Sequence, residues 1–103
     1  MGELLKVASV NDIPPGASKI VEVAGEYIAI FNVSGKLYAL NNTCLHKGGP
    51  IGEGFVSDSD LTVECPWHGW TYYLETGENT ADSAKKLKTY KVKVQGSDVF
   101  LDL

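Results

Sequence analysis

Tyr27-Ile28-Ala29-Ile30-Phe31-Asn32-Val33-Ser34-Gly35-Lys36-Leu37-Tyr38-Ala39-Leu40 is the stretch whose reading settles the fold class. Its first half is rich in β-branched and aromatic side chains, which suit a pleated and half-buried surface. Ser34-Gly35 is the right length and chemistry for a two-residue hairpin turn, and Lys36–Leu40 is the returning strand. The hairpin delivers the chain into Asn41-Asn42-Thr43-Cys44-Leu45-His46, a loop with one cysteine and one histidine.

The same kind of reading extends in both directions. Upstream, Leu4–Ala8 is a short strand, and Asn11-Asp12-Ile13-Pro14-Pro15-Gly16 is a loop because its prolines forbid regular structure. Lys19–Val23 alternates polar and apolar residues with the period of a strand, and a turn at Gly25-Glu26 leads into the hairpin. Downstream, a strand at Leu61–Glu64 enters a second loop at Cys65-Pro66-Trp67-His68, and Trp70–Leu74 leaves it. Thr76-Gly77 turns; residues 81–87 read equally as a short helical turn or a plain loop. Lys88–Val94 alternates, 95–98 turns, and Val99–Leu103 closes the sheet. Short strands between glycine-bearing turns, with no helical periodicity, predict an all-β domain: a small antiparallel β-sandwich or barrel. Its 103 residues suffice for one hydrophobic core, so one domain spanning 1–103 is expected.

Composition excludes several classes. A net charge of −4 and the absence of arginine leave no footprint for nucleic acid and no bidentate phosphate clamp. No apolar run is long enough to cross a bilayer, and the N-terminus lacks the basic and apolar regions of a signal peptide. A cytoplasmic location without membrane partners is the expectation. Residues 48–84 carry seven acids and no lysine, whereas 85–93 carry five lysines and no acid. That asymmetry reads either as solvated sheet faces or as an acidic half that docks on a basic partner.

Every cysteine and histidine falls in the two loops, with eighteen residues between His46 and Cys65. Each loop offers one thiolate and one imidazole, the set expected of a [2Fe–2S] centre with both cysteines on one iron and both histidines on the other. The candidate ligands are therefore Cys44, His46, Cys65 and His68. A disulfide between the cysteines does not suit a reducing cytosol. A structural zinc site usually pairs Cys with Cys and His with His, unlike the mixed pairs here, although the residue types alone would satisfy zinc. Gly48, Gly49 and Gly52 let loop one bring backbone N–H groups close to a cofactor. Pro66 stiffens loop two. Trp67 and Trp70 either shield the site or pack as core aromatics. With both histidines committed, no residues remain for a mononuclear iron or a Ser-His-Asp set, so an electron carrier is expected rather than an enzyme.

Cys44-Leu45-His46-Lys47-Gly48-Gly49-Pro50 and Cys65-Pro66-Trp67-His68-Gly69-Trp70 resemble the loops of a Rieske-type [2Fe–2S] ferredoxin, over essentially the whole chain. The resemblance implies a β base with an inserted cluster-binding subdomain at about 41–73. It implies Cys44 and Cys65 on an inner iron and His46 and His68 on an outer one. It further implies one-electron transfer from a flavin-containing ferredoxin reductase to the terminal oxygenase of a dioxygenase system. The alternative within the resemblance is a small subunit of a larger reductase, such as assimilatory nitrite reductase. Rieske proteins of respiratory complexes carry an extra disulfide between the loops, and the matching positions here are Gly49 and Trp67. They also carry a serine where this chain has Trp70. With these features missing, the reduction potential should lie at about −150 mV rather than +300 mV.

Overall fold

The computed structural model describes residues 4–45, 48–67 and 69–102; residues 1–3, His46, Lys47, His68 and Leu103 lie outside the described residues. In chain order the strands are β1 (Leu4–Ser9), β2 (Ser18–Val23), β3 (Glu26–Val33), β4 (Lys36–Asn41), β5 (Phe55–Ser57), β6 (Thr62–Glu64), β7 (Thr71–Tyr73), β8 (Thr89–Gln95) and β9 (Asp98–Asp102). Two single 3₁₀ turns, Val10–Asp12 and Ile51–Glu53, complete the elements. All pairings are antiparallel. Six strands in the order β1-β9-β8-β4-β3-β2 curl into a nearly closed barrel, and β5-β6-β7 form a smaller sheet. This is the expected all-β architecture. Among the described residues no helix is long and apolar enough to cross a membrane.

The β3–β4 hairpin is the spine of both halves. Val33 pairs with Lys36 around Ser34 (φ 54°) and Gly35 (φ 96°), the paired positive φ angles of a tight hairpin turn. Gly35 N–H donates to Asn32 Oδ1 at 2.8 Å, holding the turn from its first corner. Along β3, Ile28 and Ile30 point into the barrel with Ile13, Ala39, Val99 and Leu101. Ala29, Phe31 and Val33 point the other way, onto Leu40, Val63, Tyr72 and Leu74. A strand buried on both faces needs apolar residues at successive positions, which is why 28–31 reads as a continuous apolar run. Ile28, Ile30 and Phe31 are each 1% exposed or less, and burying such a side chain contributes about 1.5–3 kcal/mol.

Other details differ from expectation. The β2–β3 turn is Ala24-Gly25 rather than Gly25-Glu26: Val23 pairs with Glu26, and both Ala24 (φ 53°) and Gly25 (φ 82°) take the left-handed region. Leu61 (φ 53°) turns rather than extends, so β6 begins at Thr62. Strand β5 has no counterpart in the sequence reading, because Phe55-Val56-Ser57 is short and its phenylalanine is 66% exposed. Residues 81–87 form a loop, not a helical turn.

Strand β4 pairs directly with β8 (Ala39 with Tyr90, Leu40 with Thr89). The chain therefore leaves the barrel after β4, builds both cysteine loops and the small sheet over 42–88, and returns. The interface between barrel and excursion is one apolar layer, and Cys44 and Cys65 are part of it.

Candidate metal centre

The two cysteine loops share one backbone frame. In loop one, Cys44 N–H donates to Gly49 O at 2.9 Å and Gly48 N–H donates to Cys44 O at 3.0 Å. In loop two, Cys65 N–H donates to Trp70 O at 2.7 Å and Gly69 N–H donates to Cys65 O at 3.1 Å. Each cysteine is thus bonded to the fourth and fifth residues beyond it. The flanking pairs match as well, Thr43 opposite Pro50 and Glu64 opposite Thr71. Gly48 (φ 72°) and Gly69 (φ 76°) occupy the same left-handed corner, which glycine enters without a Cβ penalty.

Two different supports hold these frames. Loop two is the connection of the β6–β7 hairpin. Loop one is pinned to the barrel by Asn42: its N–H donates to Tyr27 O (2.8 Å), its carbonyl accepts from Ile51 N–H (2.8 Å), and its Oδ1 accepts from Gly52 N–H (2.7 Å). Ser18 Oγ on β2 closes the same corner by donating to Gly52 O at 2.7 Å. A side chain at Gly52 would run into Ile20, so the close seating of this loop on β2 requires glycine.

The loops meet at Gly49. A Cβ on this residue would lie 2.6 Å from Cys65 Sγ and 3.2 Å from the Trp67 ring. Gly49 and Trp67 are the positions where respiratory relatives were expected to carry a disulfide; here a bare backbone lies against an indole. Cys44 and Cys65 are 2% and 1% exposed. Trp67 is 59% exposed and is therefore not a core aromatic, whereas Trp70 packs partly against the apolar layer beneath loop two. Lys85 Nζ stands 6.0 Å from the Trp70 ring centroid. His46 and His68, the other expected ligands, lie outside the described residues.

Tyr72 is the functional residue that sequence reading missed. It is fully buried on β7, with its Oη 3.3 Å from Cys44 Sγ and 3.3 Å from Leu45 N–H, which donates to it. Burial, then its hydrogen bond and charge interaction with Cys44, push its pKa well above the ordinary tyrosine value. The phenol therefore stays protonated and is placed to donate to a Cys44 thiolate. The available signal was the alternation of β7, in which Tyr72 points inward between Thr71 and the exposed Tyr73.

This donor set fits an iron–sulfur cluster. Two soft cysteine sulfurs are withdrawn from water, one of them lies where a side chain at position 49 would collide with it, and a phenol hydroxyl faces the other.

Comparison with known proteins agrees with this chemistry. A Rieske [2Fe-2S] domain model matches residues 3–91. The 3-phenylpropionate/cinnamic acid dioxygenase ferredoxin subunit of Shigella boydii serotype 4 (strain Sb227) is 41% identical over 95 residues, covering 91% of this chain and 88% of the relative. Among solved structures, the ferredoxin in a complex of reduced oxygenase and oxidized ferredoxin of carbazole 1,9a-dioxygenase superposes with a TM-score of 0.85 at 29% identity, covering 96% of this chain and 92% of that one. A protein described as an NADPH nitrite reductase small subunit superposes with a TM-score of 0.86 at 25% identity, covering 96% and 97%.

Proposed function

This chain belongs to the Rieske [2Fe–2S] domain family, and on that footing we propose how it holds and passes an electron. It is an electron carrier of the dioxygenase-ferredoxin type and not the catalytic oxygenase. Cys44 and Cys65 hold the inner iron of one [2Fe–2S] cluster, and His46 and His68 hold the outer iron. The observation that carries this assignment is the pair of equivalent loop frames whose buried cysteines converge at Gly49.

When bound, such a cluster supplies a one-electron redox couple. The chain's own residues do the rest. The apolar layer of Phe31, Leu40, Val63 and Leu74 keeps water from the sulfurs. Tyr72 donates a hydrogen bond to Cys44, and such donors favour the reduced, more negative state. Leu45 and Trp67, 50% and 59% exposed, place apolar contact surface on the two ligand loops.

Related ferredoxins dock on a terminal oxygenase. We place this chain in the cytoplasm between a flavin-containing reductase and such an oxygenase, with the acids of residues 48–84 steering encounter with a basic partner. All of 1–103 then acts as one Rieske domain, its cluster-binding subdomain at about 41–73.

The test is an EPR spectrum of dithionite-reduced protein, with iron and zinc analysis. Two irons per chain and a rhombic signal of lower average g than all-cysteine [2Fe–2S] proteins are expected. One zinc per chain and no signal would reject the assignment. The likeness to a nitrite reductase small subunit favours a second reading, a fixed subunit of a larger reductase. Purification from the native host separates the two: a ferredoxin elutes alone, and a subunit co-elutes with its catalytic chain.

A further inference from the structure

We propose that the outer edge of β5 is a docking site for an extended basic segment of a partner protein, which pairs there as a fourth strand of the small sheet. The inference rests on the reading of residues 48–84 as an acidic docking half, and gives that half an anchor apart from the ligand loops.

The larger sheet ends in β1 and β2, the smaller in β5 and β7. An open edge presents unpaired N–H and C=O groups, and proteins blunt it with a lysine, a bulge or a covering loop. Strand β1 carries Lys6 and a register shift between Lys6 and Ala8. Strand β2 carries Lys19. Strand β7 is covered by the segment that follows it, through the bridge of Tyr72 to Asn79 and the bond from Thr80 N–H to Thr71 O at 2.9 Å. Among the described residues β5 has none of these devices. Phe55, Val56 and Ser57 pair in unbroken register with Glu64, Val63 and Thr62, and the other edge of β5 has no strand partner. Phe55 is 66% exposed and Val56 38%.

Between β5 and the barrel runs a cleft of about 320 Å³, lined by Ala17, Ser18, Phe31, Phe55, Val56 and Asp58. The pleat sets what fits beside it. Val56 shares a face with Val63 and Tyr72, which is turned to the apolar layer, whereas Phe55 shares the opposite face with Glu64 and Thr71. Successive residues of an added strand alternate between these faces. Those beside Val56 meet apolar groups. Those beside Phe55 meet an aromatic ring and the Glu64 carboxylate, where a lysine or arginine gains a cation–π contact and an opposite charge.

Charge also selects the occupant. Glu53 stands before β5, and Asp58 and Asp60 follow it; all three are exposed, and residues 48–84 contain no lysine. Two copies of this chain joined edge to edge would set these acids against one another, and opposed like charges destabilise a strand pair. A segment alternating cationic and apolar residues meets no such penalty. Because Phe55 pairs with Glu64, the residue before Cys65, a segment held on β5 tethers its protein close to loop two.

The probe is the synthetic peptide acetyl-Lys-Val-Lys-Val-Lys-Val-amide, added to the cluster-loaded protein and read by hydrogen exchange. Exchange is expected to slow in residues 54–60. The same peptide with every backbone N–H methylated keeps its charges and apolar groups but cannot pair, and should give no protection there. Asp58→Lys should weaken binding of the unmodified peptide by about tenfold, since a like charge replaces an opposite one. Equal protection by the methylated peptide would overturn the inference. So would protection confined to the two cysteine loops, or a dimer of the protein alone in sedimentation. Binding of the peptide without protection of 54–60 would show that the acids only steer, which rejects the β5 edge and leaves the electron-carrier reading standing. Failure of that reading is seen separately, in the EPR spectrum of the native protein without peptide.

Discussion

The two cysteine loops are alike in backbone and unlike in support. Each closes through the same pair of hydrogen bonds around a left-handed glycine, at Gly48 and at Gly69. Loop two inherits its shape from the β6–β7 hairpin, so local pairing alone is enough to form it. Among the described residues loop one has no strand pair of comparable length behind it, only the single bridge between Thr43 and Pro50. Its shape depends on Asn42 and Ser18 tying it to the barrel. One cysteine loop is therefore built by its neighbours in sequence, and the other by contacts distant in sequence.

Gly49→Ala should break the comparison altogether, because a methyl 2.6 Å from Cys65 Sγ closes the gap through which the loops converge. The expected result is loss of cluster loading, read from iron content and the visible spectrum. Asn42→Ala should separate the two loops. It leaves Gly52 N–H without its partner and should destabilise the protein by about 1–3 kcal/mol. Hydrogen exchange should then quicken in 48–54 and stay slow in 62–73.

Gly48→Ala and Gly69→Ala sharpen the likeness of the frames. Among the described residues the nearest atoms to the new Cβ are 3.6 Å away in both cases, Thr43 Cγ2 and Glu64 Oε2, so the penalty is conformational rather than steric. Each should cost about 1 kcal/mol in a denaturant titration. A large difference between them would show that the frames are not equivalent.

The smallest effect is expected in the barrel, outside both loops. Asp12 caps the 3₁₀ turn by accepting from Ser9 N–H at 3.0 Å, and this bond, followed by the charge of Lys19, holds its pKa below 3.8. A carboxyl depressed on folding stabilises the native state above its unfolded pKa, and that contribution is lost as pH falls through the lowered folded value. The stability difference between the native protein and Asp12→Asn should thus be constant at neutral pH and change only as acid takes the solution through the carboxylate range. Denaturant titrations at stepped pH would measure it, and a change near pH 6 would contradict the assignment.

Much of this was legible in the chain. The run 28–31 announced a strand because double-sided burial demands apolar residues at successive steps, and Ser34-Gly35 announced its turn. The mixed Cys and His loops announced the centre because few chemistries use that donor set. Ala24 was harder to place. Alanine rarely takes positive φ, and only the Val23–Glu26 register forces it to. Phe55-Val56-Ser57 gave no signal, since β5 pairs at the edge of a three-stranded sheet and leaves its aromatic in solvent.

The all-β class, the kind of centre and the hairpin turn at Ser34-Gly35 were determined by sequence alone, because they depend on side-chain chemistry and on interactions within a few residues. What only the tertiary structure decided is which distant groups face each other: Gly49 against Cys65, Asn42 over Gly52, and Tyr72 between Asn79 and Cys44. These contacts join segments that no local propensity connects. They form only when the apolar layer between barrel and excursion brings both halves to a single packing.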